Sequence, residues 1–334
     1  MASASDDDPR IGDISEGTVL RAILARTAPG EHTLLGPGDD AAVIAAPSKS
    51  VVATADTLVE GPDFRTAWSG GYDLGWKAAA VNLADIAAMG AMPTGLLVSL
   101  AVPRQTRLSF VERMADGFRE ACAALAPGCT VVGGDLTVSD LLVIAVTALG
   151  DLEGRAPVTR AGARPGDEVA LAGELGAAAA GLALLFDRFR DGETPVPVDR
   201  TALDTDERRA LDAQLRPAPP VRLGAVASDA GATAMMDVSD GLALDAARMA
   251  DASGVTLSLS GAAVDALASG ADRARAVGGG EDHGLLATFP AGRLPDGFHR
   301  IGVVTERGVD GVLVDGAAIA HAGWDPYRDW DGAL

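Results

Sequence analysis

Asp237 and Asp240 stand three residues apart in MMDVSDGLALD (235–245), behind two methionines and ahead of a helix-like run. An isolated buried carboxylate costs on the order of several kcal/mol after relaxation. Acids at the end of an apolar strand must therefore be solvated, protonated or facing a cation. The same juxtaposition of acid, glycine or element boundary, and apolar flanks recurs in GPGDDAAV (Asp39, Asp40), ATADTLVEG (Asp56), NLADIAAMG (Asp85) and VVGGDLT (Asp135). Asp85 is the most telling, because it lies inside an Ala-rich helical run with Asn82 one turn back on the same face. That pattern predicts a partly buried polar stripe facing a cleft. Hard cations such as Mg²⁺ take one or two carboxylates each and complete their octahedron with water and substrate phosphates. Scattered acids of this kind suit several Mg²⁺ ions held against a polyphosphate. With 47 acids in the chain, others serve as ordinary caps and turns, and Asp73 and Asp167 read that way.

The positive partners are few. The two lysines, Lys49 and Lys77, follow Ser48 and Trp76, so no Gly-Lys pair exists for a phosphate-binding loop. A nucleotide would have to be held by metal ions, arginines and backbone amides. Arg160 in VTRAG could grip phosphate bidentately, or could equally be a surface arginine. Ser239 could cap the following helix or offer its hydroxyl and the helix-start amides to an anion. The glycines of GGGED (278–282) permit close backbone approach to a ligand, or a hairpin turn. GPGDDA (36–41) imitates a dinucleotide fingerprint, but that motif needs a helix directly after its glycines. Here Pro47 interrupts the short run before the next strand. The four histidines form no paired metal-ligand motif, G-x-S-x-G is absent, and Cys122 and Cys129 match neither a zinc nor a CxxC pattern.

The elements that must position these residues follow from periodicity and punctuation. The chain has 334 residues, 48% hydrophobic and 22% charged, enough for two globular domains. Residues 1–10 read as a disordered acidic tail. Helices are expected over 15–27, 72–93 and 109–128, the last with Ser109 and Glu112 at capping-box spacing. Strands are expected over 50–60, 95–103, 129–135 and 141–151. A Gly/Pro/Arg-rich crossing at 154–176 leads to a second unit. That unit has helices at 174–189, near 221–230 and up to about 252, an irregular stretch at 190–200, and a strand in VTLSLS. Two α/β domains result, 11–152 and 153–334. A net charge of −20 argues against nucleic acid or an anionic membrane as partner. No run approaches the roughly 18 apolar residues of a membrane span, and the acidic N-terminus is unlike a secretory signal, so the cytoplasm is the expected address.

Read together, GPGDDAAV, TADTLVEG, WKAAAVNLADIAAMGA, VVGGDLT, TRAGARPGDEVALAG, MDVSDGL and GGGED resemble the thiamine-monophosphate kinases, from about residue 12 to the last ten residues. The resemblance implies the two-domain α/β (α+β) fold of the aminoimidazole-ribotide synthetase-like superfamily, with mixed sheets and helices packed on one side. It also implies a homodimer formed through the N-terminal sheets, and transfer of phosphate from ATP to thiamine monophosphate with Mg²⁺. By position, it assigns metal binding to Asp40, Thr54, Asp56, Asp85, Asp135, Asp237 and Asp240, with Asp85, Asp135 and Asp240 central to catalysis. Nucleotide contacts fall on Gly134, Asp135, Arg160 and Ser239. Substrate contacts fall on Glu281, on Trp324 and on the position of Asp63. Three departures touch the acceptor side: Asp63 stands where the family has His, His283 and Gly284 where it has Tyr and Glu, and Ala55 where it has Thr. The alternatives are another ATP-using enzyme of the superfamily, or a homologue that binds Mg²⁺ and nucleotide without catalysis.

Overall fold

The computed structural model describes residues 8–36, 41–319 and 323. Helix α1 (Glu16–Leu24) and the hairpin β1 (Thr33–Leu35) and β2 (Val43–Ile44) lead into the first domain. Its frame is β3 (Val52–Val59), α2 (Gly71–Ala88), β4 (Met92–Val102), α3 (Leu108–Leu125), β5 (Val131–Val138) and β6 (Val143–Asp151). The sheet runs β3-β6-β4-β5, with β4 and β5 parallel and joined through α3, and the other pairs antiparallel.

Alternation along these strands divides the sheet into two unlike faces. Leu96, Val98 and Leu100 of β4 and Ile144, Val146 and Ala148 of β6 are buried under the helices. Leu97 and Ser99, and with them Ala55 and Thr57 of β3, point to a face that no helix among the described residues covers and are exposed. Helix α2 is apolar nearly all round, as expected of a helix packed on every side. Glycines make its close contacts possible. A Cβ on Gly75 would stand 2.0 Å from the Met114 carbonyl of α3, and one on Gly117 would stand 2.1 Å from the Tyr72 carbonyl.

The second domain comprises β7 (Glu168–Ala172), α4 (Ala177–Arg188), the hairpin β8 (Arg190–Asp191) and β9 (Thr194–Pro195), α5 (Thr205–Leu215) and α6 (Val221–Ala230). It continues through β10 (Ala234–Val238), α7 (Leu242–Ser253), β11 (Val255–Leu259), α8 (Gly261–Ala266), α9 (Arg273–Gly278), β12 (Gly284–Phe289), β13 (His299–Glu306), β14 (Val312–Val314) and β15 (Ala317–Ala318). The seven-stranded mixed sheet has the order β10-β12-β7-β13-β11-β14-β15. One face packs on α7 and its neighbours through Met236, Val238, Leu286 and Leu257. The other face, through Met235, Ala170, Leu285 and Phe289, shares a core with Leu83, Ile86 and Ala87 of α2. Each fully buried Leu or Ile there contributes roughly 1.5–3 kcal/mol. The two domains are thus joined by apolar packing on α2, and Asp85 rides on that joint.

Three local expectations change. Asp8, inside the expected tail, packs on α3, its carboxylate accepting the Ser109 N–H (2.9 Å) and hydroxyl (2.7 Å). The Ser109–Glu112 capping box therefore does not form: α3 starts one residue earlier, and Glu112 pairs instead with Arg26 at 3.1 Å. Helix α5 was not anticipated, although Asp204 and Glu207 cap it reciprocally. Its polar composition hid the stripe of Leu211 and Leu215 that packs on Trp68 and Leu185. Among the described residues, no helix is long and apolar enough to cross a membrane.

Candidate active site at the domain junction

Strand alternation decides which acids meet. On β3, Thr54 and Asp56 share the helix-covered face with their partners Ala148 and Val146. The Thr54 hydroxyl donates to Asp85 Oδ2 at 2.8 Å. One turn earlier on α2, buried Asn82 accepts the Asp56 N–H at 3.2 Å and donates to the Ala78 carbonyl at 2.9 Å. The polar stripe expected of Asn82 and Asp85 is thus present, and it pins β3 to the helix. From the second domain, alternation on β10 turns Met235 and Asp237 toward α2, and Asp237 is buried.

The charges register this convergence. Burial pushes the Asp85 carboxyl up to about 7, and the neighbouring Asp237 and Asp56 add to the rise. Burial also raises Asp56; His283 draws it back, while Asp237 and Asp240 push it up again. Carboxylates that repel one another in a half-buried site form an all-oxygen donor set suited to a hard cation. No three of the described acids or histidines stand close enough to hold one ion by themselves.

Asp240 sits at the start of α7, where its N–H donates to Asp245 Oδ2 at 3.0 Å. Its carboxylate is held by Arg248. Ser239 and Gly280 meet backbone to backbone: the Ser239 carbonyl accepts the Glu281 N–H at 2.7 Å, and a Cβ on Gly280 would lie 2.5 Å from that carbonyl. The GGGED loop thus folds onto the VSDG loop and is not a plain hairpin. Glu281 within it and His283 directly after it have φ of 68° and 53°, a concentration of backbone strain common at functional sites. Between them, Asp282 caps α4 by accepting the Gly176 and Ala178 N–H groups, and burial pushes its carboxyl up to about 6.

Beside this loop lies a second polar knot. Lys77 of α2, only 4% exposed, pairs with Glu281 at 2.8 Å, and Gln214 of α5 donates to the other carboxylate oxygen. Burial works to raise the Glu281 carboxyl, but Lys77 and Gln214 outweigh it and hold the group below its ordinary value. Asp63 accepts the Val59 N–H at 2.7 Å; burial raises its carboxyl, and the nearby Glu281 charge raises it further. His283 Nδ1 meets Asp237 Oδ2 at 3.1 Å, while its buried Nε2 and the buried Oε1 of Gln214 have no partner among the described residues.

Three of the expected residues, Asp135, Gly134 and Arg160, stand elsewhere. Asp135 pairs laterally with Ser99, so it lies on the uncovered face of the sheet, opposite Asp56 and Asp85. Gly134 presses against Val98, where a Cβ would fall 1.9 Å from the carbonyl oxygen. Arg160 is exposed, and its carbonyl accepts the Ser253 hydroxyl at the C-terminal end of α7. Ser239 precedes the other end of that 12-residue helix, about 18 Å away along the axis. Asp39, Asp40 and Trp324 lie outside the described residues. Lys77, Gln214, Asp245 and Arg248 were not singled out beforehand. A lone lysine among the alanines of α2, and the i,i+3 spacing of Asp245 and Arg248, were available signals; Gln214 carried none.

Residues 38–152 match the family described as AIR synthase related protein, N-terminal domain, and residues 164–315 match its C-terminal domain. Thiamine-monophosphate kinase of Mycobacterium tuberculosis is 40% identical across 98% of this chain and 96% of its own length. The chain belongs to the thiamine-monophosphate kinase family. The thiamine-monophosphate kinase of Stenotrophomonas maltophilia superposes with a TM-score of 0.76 at 33% identity, over 92% of this chain and 98% of that one. AaThiL complexed with AMPPCP and TMP superposes with a TM-score of 0.72 at 33% identity, over 86% and 90%. As a member of this family the chain is a kinase, and its two-domain mixed α/β architecture is the one the motifs implied.

Proposed function

We propose that the chain transfers the γ-phosphate of ATP to the phosphate of thiamine monophosphate, giving thiamine diphosphate and ADP. In this reading it works in the cytoplasm with Mg²⁺ held at the domain junction. The observation that carries it is the convergence of Asp56 and Asp85 with Asp237, contributed by different domains, in a chain related over its full length to thiamine-monophosphate kinases. Bound Mg²⁺ supplies charge neutralisation and in-line orientation of the two phosphate groups.

The chain's own residues do the positioning. The Thr54 hydroxyl orients Asp85, Asn82 fixes the backbone of Asp56, and His283 holds one oxygen of Asp237. Two unit negative charges 4 Å apart repel by about 4 kcal/mol at an effective dielectric near 20, so bringing the substrates together is the main obstacle. The attacking phosphate oxygen is already anionic, so no general base is required. Asp40 and Asp240 complete the metal acids in this reading. Gly134, Asp135, Arg160 and Ser239 serve the nucleotide, and Asp63, Glu281 and Trp324 serve the thiamine phosphate. The metal acids come mainly from domain 11–152 and the acceptor contacts mainly from domain 153–334.

The uncovered face of the first sheet supports the homodimer. It exposes Leu97 and Ser99 and carries Asp135, which in this reading would be covered by the second copy. Light scattering should give a dimer for the purified chain and a monomer for Leu97→Glu. A wild-type monomer would remove this part of the reading. The function itself is tested by chromatographic detection of thiamine diphosphate from ATP and thiamine monophosphate. Product should form with Mg²⁺ and vanish with excess EDTA; nucleotide binding without product would leave only a binding protein.

A further inference from the structure

Arg248 is the guanidinium that the fold sets beside the acids. From the second turn of α7 it reaches back to Asp240 Oδ2 at 2.5 Å and to Asp245 Oδ1 at 2.7 Å, both through Nη1. The Nε–Nη2 edge, the one that grips phosphate bidentately, stays outside this ion pair. The two carboxylates differ in kind. Asp245 is fully buried and tied by its second oxygen to the Asp240 N–H, so it cannot move away. Asp240 and Arg248 keep 29% and 40% of their side-chain exposure, so a change of partner between them disturbs little packing. Lys77 has no such freedom, being almost fully buried against Glu281. The orphaned Nε2 of His283, on the ring that holds Asp237, is a separate sign that a polar ligand seats at this junction.

We propose that Arg248 is a phosphate-gripping residue, parked on Asp240 in the free protein and released to the nucleotide's phosphates when a divalent cation takes that carboxylate. The inference rests on the metal–nucleotide reading given above. A cation on Asp240 repels the guanidinium it displaces, and the bond to Asp245 keeps the released side chain within reach. Triphosphate oxygens arriving with the cation then provide the stronger, bidentate partner.

Arg248→Met separates the two halves of the exchange. Mn²⁺ binding in the absence of nucleotide, followed by electron paramagnetic resonance, should tighten by about threefold or more, because the competing charge is gone. A non-hydrolysable ATP analogue with Mg²⁺, titrated by calorimetry, should bind about tenfold more weakly. Arg248→Lys keeps the competing charge but not the fork. Its Mn²⁺ affinity should stay at the wild-type value while its analogue affinity falls, and it carries the test if Arg248→Met does not fold. Analogue affinity unchanged in both variants, or Mn²⁺ affinity unchanged or weakened in Arg248→Met, overturns the exchange while leaving the kinase reading intact. A wild-type chain that binds neither probe sinks that reading and this inference with it.

Discussion

Asp85→Asn should reduce thiamine diphosphate formation by about 10²–10³-fold while stabilising the metal-free protein at alkaline pH. The activity loss follows from removing a charge at the point where both domains present acids. The stability gain follows from the same crowding. In the fold the carboxyl sits at about 7, against an ordinary value of 3.8, because burial and the Asp237 and Asp56 charges oppose its ionisation. A carboxyl raised by folding contributes stability that is fully present below pH 3.8 and is lost as pH rises through 7. The loss is on the order of 4 kcal/mol for a shift of this size. Asparagine cannot ionise, and it still accepts the Thr54 hydroxyl. In EDTA, the variant's advantage in urea denaturation should therefore grow steadily between pH 4 and pH 8. Near-normal turnover would refute the role of Asp85, and a variant less stable than wild type at pH 8 would refute the electrostatic account.

The second large effect is expected at Lys77. The residue is 4% exposed and its ammonium meets Glu281 at 2.8 Å, joining α2 of one domain to the GGGED loop of the other. Removing one member of a buried pair leaves an unpaired charge, which costs about 3–5 kcal/mol. The lower end applies here, since the Glu281 side chain keeps 35% of its exposure and water can reach it. Lys77→Met should thus lose about 3 kcal/mol of unfolding free energy. Adding Glu281→Leu should recover more than half of that, because the stranded charge goes too. A double-mutant cycle by urea denaturation reads the coupling directly. If the two substitutions prove simply additive, the pair does not link the domains.

The polar stripe of α2 was legible without coordinates. Asp85 announced itself because a carboxylate among alanines and next to isoleucine has no reason to be there unless it is buried beside something polar. Asn82, one turn away, carried the same message, and both now lie on the α2 face that meets β3. The alternating apolar pattern of the strands and the breaks at glycine and proline were enough to place α2, α3 and the four strands β3 to β6. Helix α5 was missed because a mostly polar helix is stabilised by tertiary contacts at Leu211 and Leu215, which leave little periodic trace.

Local sequence thus determined the donor types, the helices and strands that carry them, and the absence of a Gly-Lys phosphate loop, since all of these depend on neighbours a few residues away. Only the tertiary structure decided which donors meet. Side chains on a strand alternate between faces, so the pairing of β5 with β4 puts Asp135 beside Ser99 on the uncovered face, opposite Asp56 and Asp85. Helix length separates Arg160 from Ser239, while the back-reaching Arg248 stands at Asp240 instead. The partnership of Lys77 with Glu281 and Gln214 joins residues from three distant stretches of chain, and only the packing of the two domains on α2 brings them within bonding distance.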